Sequence, residues 1–129
     1  MTRICGVDGC HYGWIALFCA ENFSNVEWRV ARDWTGLDLN AVSIAVDMPI
    51  GLADRGRRGC DEAARKAPHL RPSSIFPMPV RGALLHDSYA EANAWSKANG
   101  HGGVVKQAWN LKPKLLDVER VALNDPRAP

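Results

Sequence analysis

The sequence predicts an α/β fold built on a mixed sheet, an antiparallel three-strand meander plus a parallel strand, with helices. Three observations predict it. Short apolar, strand-like runs crowd the first fifty residues. The first three runs are joined by connections of only a few residues. Beyond Gly51 the apolar spacing changes from strand-like to helical.

Each element follows from its local pattern. "RICGVD", Arg3 to Asp8, reads as a first strand. "GWIALFCA", Gly13 to Ala20, is almost continuously apolar and reads as a central strand buried on both faces. Val26, Trp28 and Val30 alternate in "VEWRV" as on one face of a half-exposed strand. Short links make these three a meander. Asp33 to Asn40 reads as a crossover with one or two helical turns, and Val42 to Val46 as a fourth strand. A strand returning after a crossover lies parallel to one already present.

Farther on, Cys60 to Ala67 reads as a short helix stopped by Pro68, and "RPSSIFPMPVR" as a proline-rich loop. Val80, Leu84, Ser88, Ala92 and Trp95 share one stripe of a helix running from Val80 to about Ala98 and stopped at Gly100. Leu111, Leu115, Val118 and Ala122 mark a last helix, with Pro113 near its start. Trp14, Trp28, Trp95 and Trp109 are expected in the core.

Composition narrows the class. A chain of 129 residues fits a single domain, and 47% hydrophobic against 23% charged residues excludes wholesale disorder. Cys5, Cys10, Cys19 and Cys60 form no CxxC pair, and His11, His69, His86 and His101 show no zinc-ligand spacing. The longest apolar run, Trp14 to Ala20, is too short to span a bilayer, and no signal-peptide layout is present; the expectation is a cytoplasmic protein without a membrane partner. Charge is divided. Residues 1–50 carry three Arg or Lys against six Asp or Glu, a net of −3; residues 51–129 carry thirteen against eight, a net of +5. The first segment suits cations and the second polyanions.

The chemistry centres on two carboxylates. Asp8 ends the first strand and Asp47 the fourth, in matching contexts, "CGVDGC" and "IAVDMP". Ligands of open α/β sheets bind beyond the carboxyl ends of parallel strands. Parallel neighbours lie about 4.8 Å apart, so both side chains could share one cation. Like charges that close need a proton or a metal between them. Mg²⁺ and Mn²⁺ accept such oxygen donors, and two ions could clamp an in-line phosphoryl displacement. Local alternatives stay open: Asp8-Gly9 as a hairpin turn, Asp47 as a cap before Met48-Pro49. Among the arginines of the basic segment, Arg57, Arg58 and Arg81 are the best phosphate ligands, because they sit in loops or at a helix start. The alternative is a solvated face with Asp61 paired to Arg65. Ser73 and Ser74 lack a nucleophile elbow, Asp61 suits a helix N-terminus, and His11 could carry a proton for Asp8. Gln107 and Lys114 read as helix surface.

"GVDGCHYGWIAL", "IAVDMPIGL", "RGCDEAARK", "RPSSIFPMPVR" and "QAWNLKPKLLDVE", in that order, resemble domain-of-unknown-function family 429, predicted nucleases with a ribonuclease-H-like fold. The resemblance spans Ile4 to about Glu119 and implies that Asp8 and Asp47 are the metal-binding, catalytic strand-end aspartates, with Mg²⁺ or Mn²⁺ as cofactor and nucleic acid as partner. It also implies a further strand and an acidic helix after the fourth strand. No such strand is legible, and only Asp117 and Glu119 supply acids on a later helix. The chain therefore looks like the N-terminal part of a member, closing on "LNDPRAP", with an exposed sheet edge through which it would self-associate.

Three functional readings follow. The first is a Mg²⁺- or Mn²⁺-dependent nuclease, or its truncated remnant. The second is a nucleotide-phosphate binder of the actin and sugar-kinase type, to which "DGCHYGW" lends a poor phosphate hairpin. The third is a non-catalytic module binding nucleic acid or protein.

Overall fold

The structure, a computed structural model, describes residues 2–69 and 71–125; the last four residues of "LNDPRAP" lie outside them. The chain forms two compact units. One comprises the first fifty residues with those from Lys114 onward, the other Gly51–Pro113.

The first unit is a four-stranded mixed sheet: β1 (Arg3–Gly9), β2 (Trp14–Ala20), β3 (Glu27–Ala31) and β4 (Ser43–Asp47), in the order β3-β2-β1-β4. β1, β2 and β3 form the antiparallel meander, and β4 returns parallel to β1. Among the described residues no strand follows β4. The β1–β2 turn is not Asp8-Gly9. It closes two residues later, where Cys10 and Gly13 exchange backbone hydrogen bonds of 3.0 and 3.1 Å. Gly13 passes so close to β3 that a Cβ there would lie 2.4 Å from the Ala31 carbonyl oxygen.

One face of this sheet is the core. Cys5, Val7, Trp14, Ala16 and Phe18 pack with Leu37 of a 3₁₀ turn (Thr35–Leu37) and with Val118 of the last helix, α4 (Lys112–Ala122). Fully buried apolar side chains such as Phe18 and Leu37 each contribute about 1.5–3 kcal/mol. Arg3 and Arg29 stack their guanidinium groups on the Phe18 ring, 4.6 and 4.8 Å from its centroid. Asp117 fastens α4 to the sheet: its Oδ2 accepts from Trp14 Nε1 and from the Trp34 backbone N–H, each at 3.0 Å.

The opposite face is open, which corrects two expectations. β2 is not buried on both faces, since Ile15 and Leu17 are exposed. Trp28 is not a core residue: it is 68% exposed. Strand alternation puts Val26, Trp28 and Val30 together, but toward the side that no helix of this unit covers.

In the second unit, α1 (Gly59–Lys66) has acids in its first turn and bases in its last, matching the helix dipole. The single helix expected from Val80 is two elements. A 3₁₀ stretch, Arg81–Leu85, ends at His86, and α2 (Tyr89–Ala98) starts afresh. Ser88 is therefore not on the stripe. It is the N-cap of α2, accepting the Glu91 backbone N–H at 3.2 Å. The last helix is α4, as its apolar spacing led one to expect, with Pro113 in its first turn; a short helix not read from the sequence, α3 (Lys106–Asn110), precedes it. Val80, Ala83, Ala92 and Val104 form this unit's core with Tyr89, Trp95 and Trp109 against it.

Candidate functional site

β1 and β4 end together because they are parallel and in register, Ile4 with Ser43 through Asp8 with Asp47. Asp8 and Asp47 are thus direct cross-strand partners, and both lie on the open face. Successive rows of that face explain the space around them. Asp47, Asp8, Ile15 and Val30 form one row; Ala45, Gly6, Leu17 and Trp28 form the next. Gly6 and Ala45 have almost no side chain, and a Cβ on Gly6 would meet nothing within 4 Å. The result is an open hollow of about 540 Å³ walled by Gly6, Asp8, Ile15, Leu17, Ala45 and Asp47.

The donor set is chemically narrow. Two carboxylates on adjacent strands offer hard oxygen ligands, which fit Mg²⁺ or Mn²⁺ completed by water or substrate oxygen, not a closed protein cage. Among the described residues no group of three or more His, Cys, Asp or Glu side chains could hold a metal. Asp117 is occupied otherwise, accepting from Trp14, Trp34 and Arg120, and Glu119 is buried. The four cysteines are free thiols. Burial pushes the Cys5 thiol up from its ordinary pKa, against the opposing pull of Arg3 and Arg29.

The three arginines belong to the second unit. Arg58 pairs with Asp61 at 3.4 Å, so Asp61 has the residue three positions before it as partner where Arg65 was the alternative. Arg65 donates instead to the Ile75 carbonyl. Arg81 pairs with Asp54 and donates to the Leu52 carbonyl at 2.9 Å. Arg57 is exposed and makes no ion pair among the described residues.

Sequence reasoning missed one contact at the end of β1, made on the core face and so opposite to the carboxylates. Lys114 lies across Gly9, the residue after Asp8: a Cβ at Gly9 would fall 2.7 Å from Lys114 Cδ and 2.9 Å from Cε. No local pattern announces a contact between residues so distant in the chain.

Fold and site together define an α/β protein with a carboxylate pair at the shared end of two parallel strands. The chain belongs to the family described as "Protein of unknown function (DUF429)", whose sequence model matches residues 6–128. No curated protein and no solved structure matches it. Among the described residues no helix is long and apolar enough to cross a membrane.

Proposed function

We propose that the chain carries the metal-binding sheet of a Mg²⁺- or Mn²⁺-dependent nuclease that hydrolyses phosphodiester bonds. One observation supports this reading above the others: Asp8 and Asp47 are register partners on an open face, at the ends of parallel strands. Two exposed carboxylates one strand apart repel each other, and a divalent cation removes that repulsion. A metal held there would supply Lewis-acid polarisation of a phosphoryl oxygen and lower the pKa of a bound water. Asp8 and Asp47 bind the cation, while Gly6 and Ala45 leave room for a backbone to approach. Arg57, Arg58 and Arg81, the phosphate ligands expected from the sequence, belong to the second unit, where Arg58 and Arg81 are paired with Asp61 and Asp54.

The test is Mn²⁺ binding by electron paramagnetic resonance, with cleavage of a labelled oligonucleotide measured in parallel. The wild-type chain should bind Mn²⁺ and cleave. Asp8→Asn and Asp47→Asn should each weaken Mn²⁺ by about tenfold or more and abolish cleavage with the circular dichroism spectrum unchanged. Equal Mn²⁺ affinity in Asp8→Asn, or cleavage surviving it, would overturn the assignment.

A further inference from the structure

We propose that the second unit carries a contact surface for single-stranded nucleic acid, formed by Lys106, Trp109 and Lys112 with Tyr89. The surface needs no metal, so it stands apart from the nuclease reading.

The first support is a spacing that the carboxylate site leaves unused. In "KQAWNLK", Lys106, Trp109 and Lys112 recur every third residue. α3 carries the first two, Leu111 keeps right-handed helical backbone, and α4 starts at Lys112. Side chains three apart are neighbours on a helix, so the stripe runs cation, ring, cation.

The second support is that rings, not carboxylates, order the stripe. Lys106 Nζ lies 4.2 Å from the centroid of the Tyr89 ring, and Lys112 Nζ lies 4.7 Å from that of Trp109. The two rings are 6.3 Å apart, tilted by 59°. Both pack against the core of this unit, and the Tyr89 hydroxyl donates to the Val104 carbonyl at 2.9 Å. Lys112 also donates to the His86 carbonyl. A ring or a carbonyl places an ammonium without cancelling its charge, as a carboxylate would. Among the described residues neither lysine makes an ion pair, and neither do Asp87 and Glu91, the acids closest in sequence to Tyr89.

The third support is the chemistry of the match. Gly51–Pro113 carries ten Arg or Lys against five Asp or Glu, a net of +5, which suits a polyanion. Cations interleaved with aromatic rings suit a strand with unstacked bases: the cations take phosphates and the rings take base faces. An exposed cation–π contact is weaker than base–aromatic stacking, so each lysine can leave its ring for a phosphate while a base takes its place. An acidic peptide would use the lysines and leave the rings idle. A duplex keeps its bases stacked on one another and would do the same.

The experiment is fluorescence anisotropy with labelled oligothymidylate on the full chain, in EDTA so that no divalent cation reaches Asp8 and Asp47. The wild type should bind, with affinity falling as salt rises. Lys106→Gln combined with Lys112→Gln should weaken binding about tenfold or more and reduce the salt slope by about 0.7 for each lysine. The corresponding double arginine variant should keep most of the affinity. Trp109→Leu should weaken binding about fivefold or more and leave the salt slope unchanged. Lys97→Gln, at an exposed lysine of α2, should bind as the wild type does. A wild-type chain that does not bind, a double glutamine variant within twofold of it, an equal loss in Lys97→Gln, or full affinity in Trp109→Leu would each overturn the proposal. So would competition by polyglutamate or duplex DNA as effective, charge for charge, as that by unlabelled oligothymidylate. Lysine-dependent binding by a chain that cleaves nothing in Mn²⁺ would uphold this surface and sink the nuclease reading; cleavage without such binding would do the reverse.

Discussion

Asp117→Ala should be the most damaging single change on the surface of α4, and its cost can be worked from three contacts. The Arg120 pair at 2.9 Å involves a guanidinium 66% exposed, so it contributes at most about 1 kcal/mol. The Trp14 contact is different. Trp14 is 1% exposed, and its indole N–H faces only Asp117 Oδ2, at 3.0 Å. Removing the acceptor strands a buried donor, which costs about 1–3 kcal/mol. The Trp34 backbone N–H, bound to the same oxygen, adds about 1 kcal/mol. The sum is about 3 kcal/mol, or about 10 °C in Tm for a chain of this size. Urea denaturation followed by circular dichroism measures it. Asp117→Asn, which keeps an accepting oxygen, should cost about half as much. In a cycle with Trp14→Phe, which removes the donor, the two losses should overlap by about 1–2 kcal/mol. A loss below about 1 kcal/mol for Asp117→Ala, or strictly additive losses, would refute the idea that this carboxylate fastens α4 to the sheet.

Two further outcomes test the fold. Ser88→Ala removes the N-cap of α2 and should cost about 1 kcal/mol in a urea titration, while Ser88→Asp should be nearly neutral. Cys5 makes stability depend on alkaline pH. Burial raises its native pKa above the unfolded value, so its contribution is complete below ordinary thiol ionisation and is lost as pH rises through the native pKa. Under reducing conditions the urea midpoint should therefore fall more between about pH 8 and about pH 10.5 in the wild type than in Cys5→Ala; equal falls would remove Cys5 as the cause.

The sheet was legible because its signals are local. Short connections force a meander, and a crossover forces a parallel return, so the repeated Val-Asp endings of "CGVDGC" and "IAVDMP" were enough to pair Asp8 with Asp47. What could not be read depends on partners. Whether an apolar strand face is covered is decided by helices elsewhere in the chain, which is why Leu17 and Trp28 looked buried and are not. The break at His86 was present in the sequence as Ser88-Tyr-Ala-Glu91, a capping box that starts a helix. The apolar stripe running through it favoured continuity and hid it. Asp117 and Lys114 were illegible for a plainer reason: their sheet contacts join residues more than a hundred positions apart.

Strand register and helix docking do different work in this unit. The β1–β4 ladder fixes Asp8 against Asp47, and a one-residue slip of β4 would turn Asp47 from the open face toward the core, so the pair is set or lost as a whole. α4 docks on the opposite face, held by Asp117 on Trp14 and Trp34. Changes that weaken that docking should therefore lower stability while the carboxylates keep their register. Gly9 shows the division: it ends β1 directly after Asp8, and the stem of Lys114 crosses it on the face away from the carboxylate.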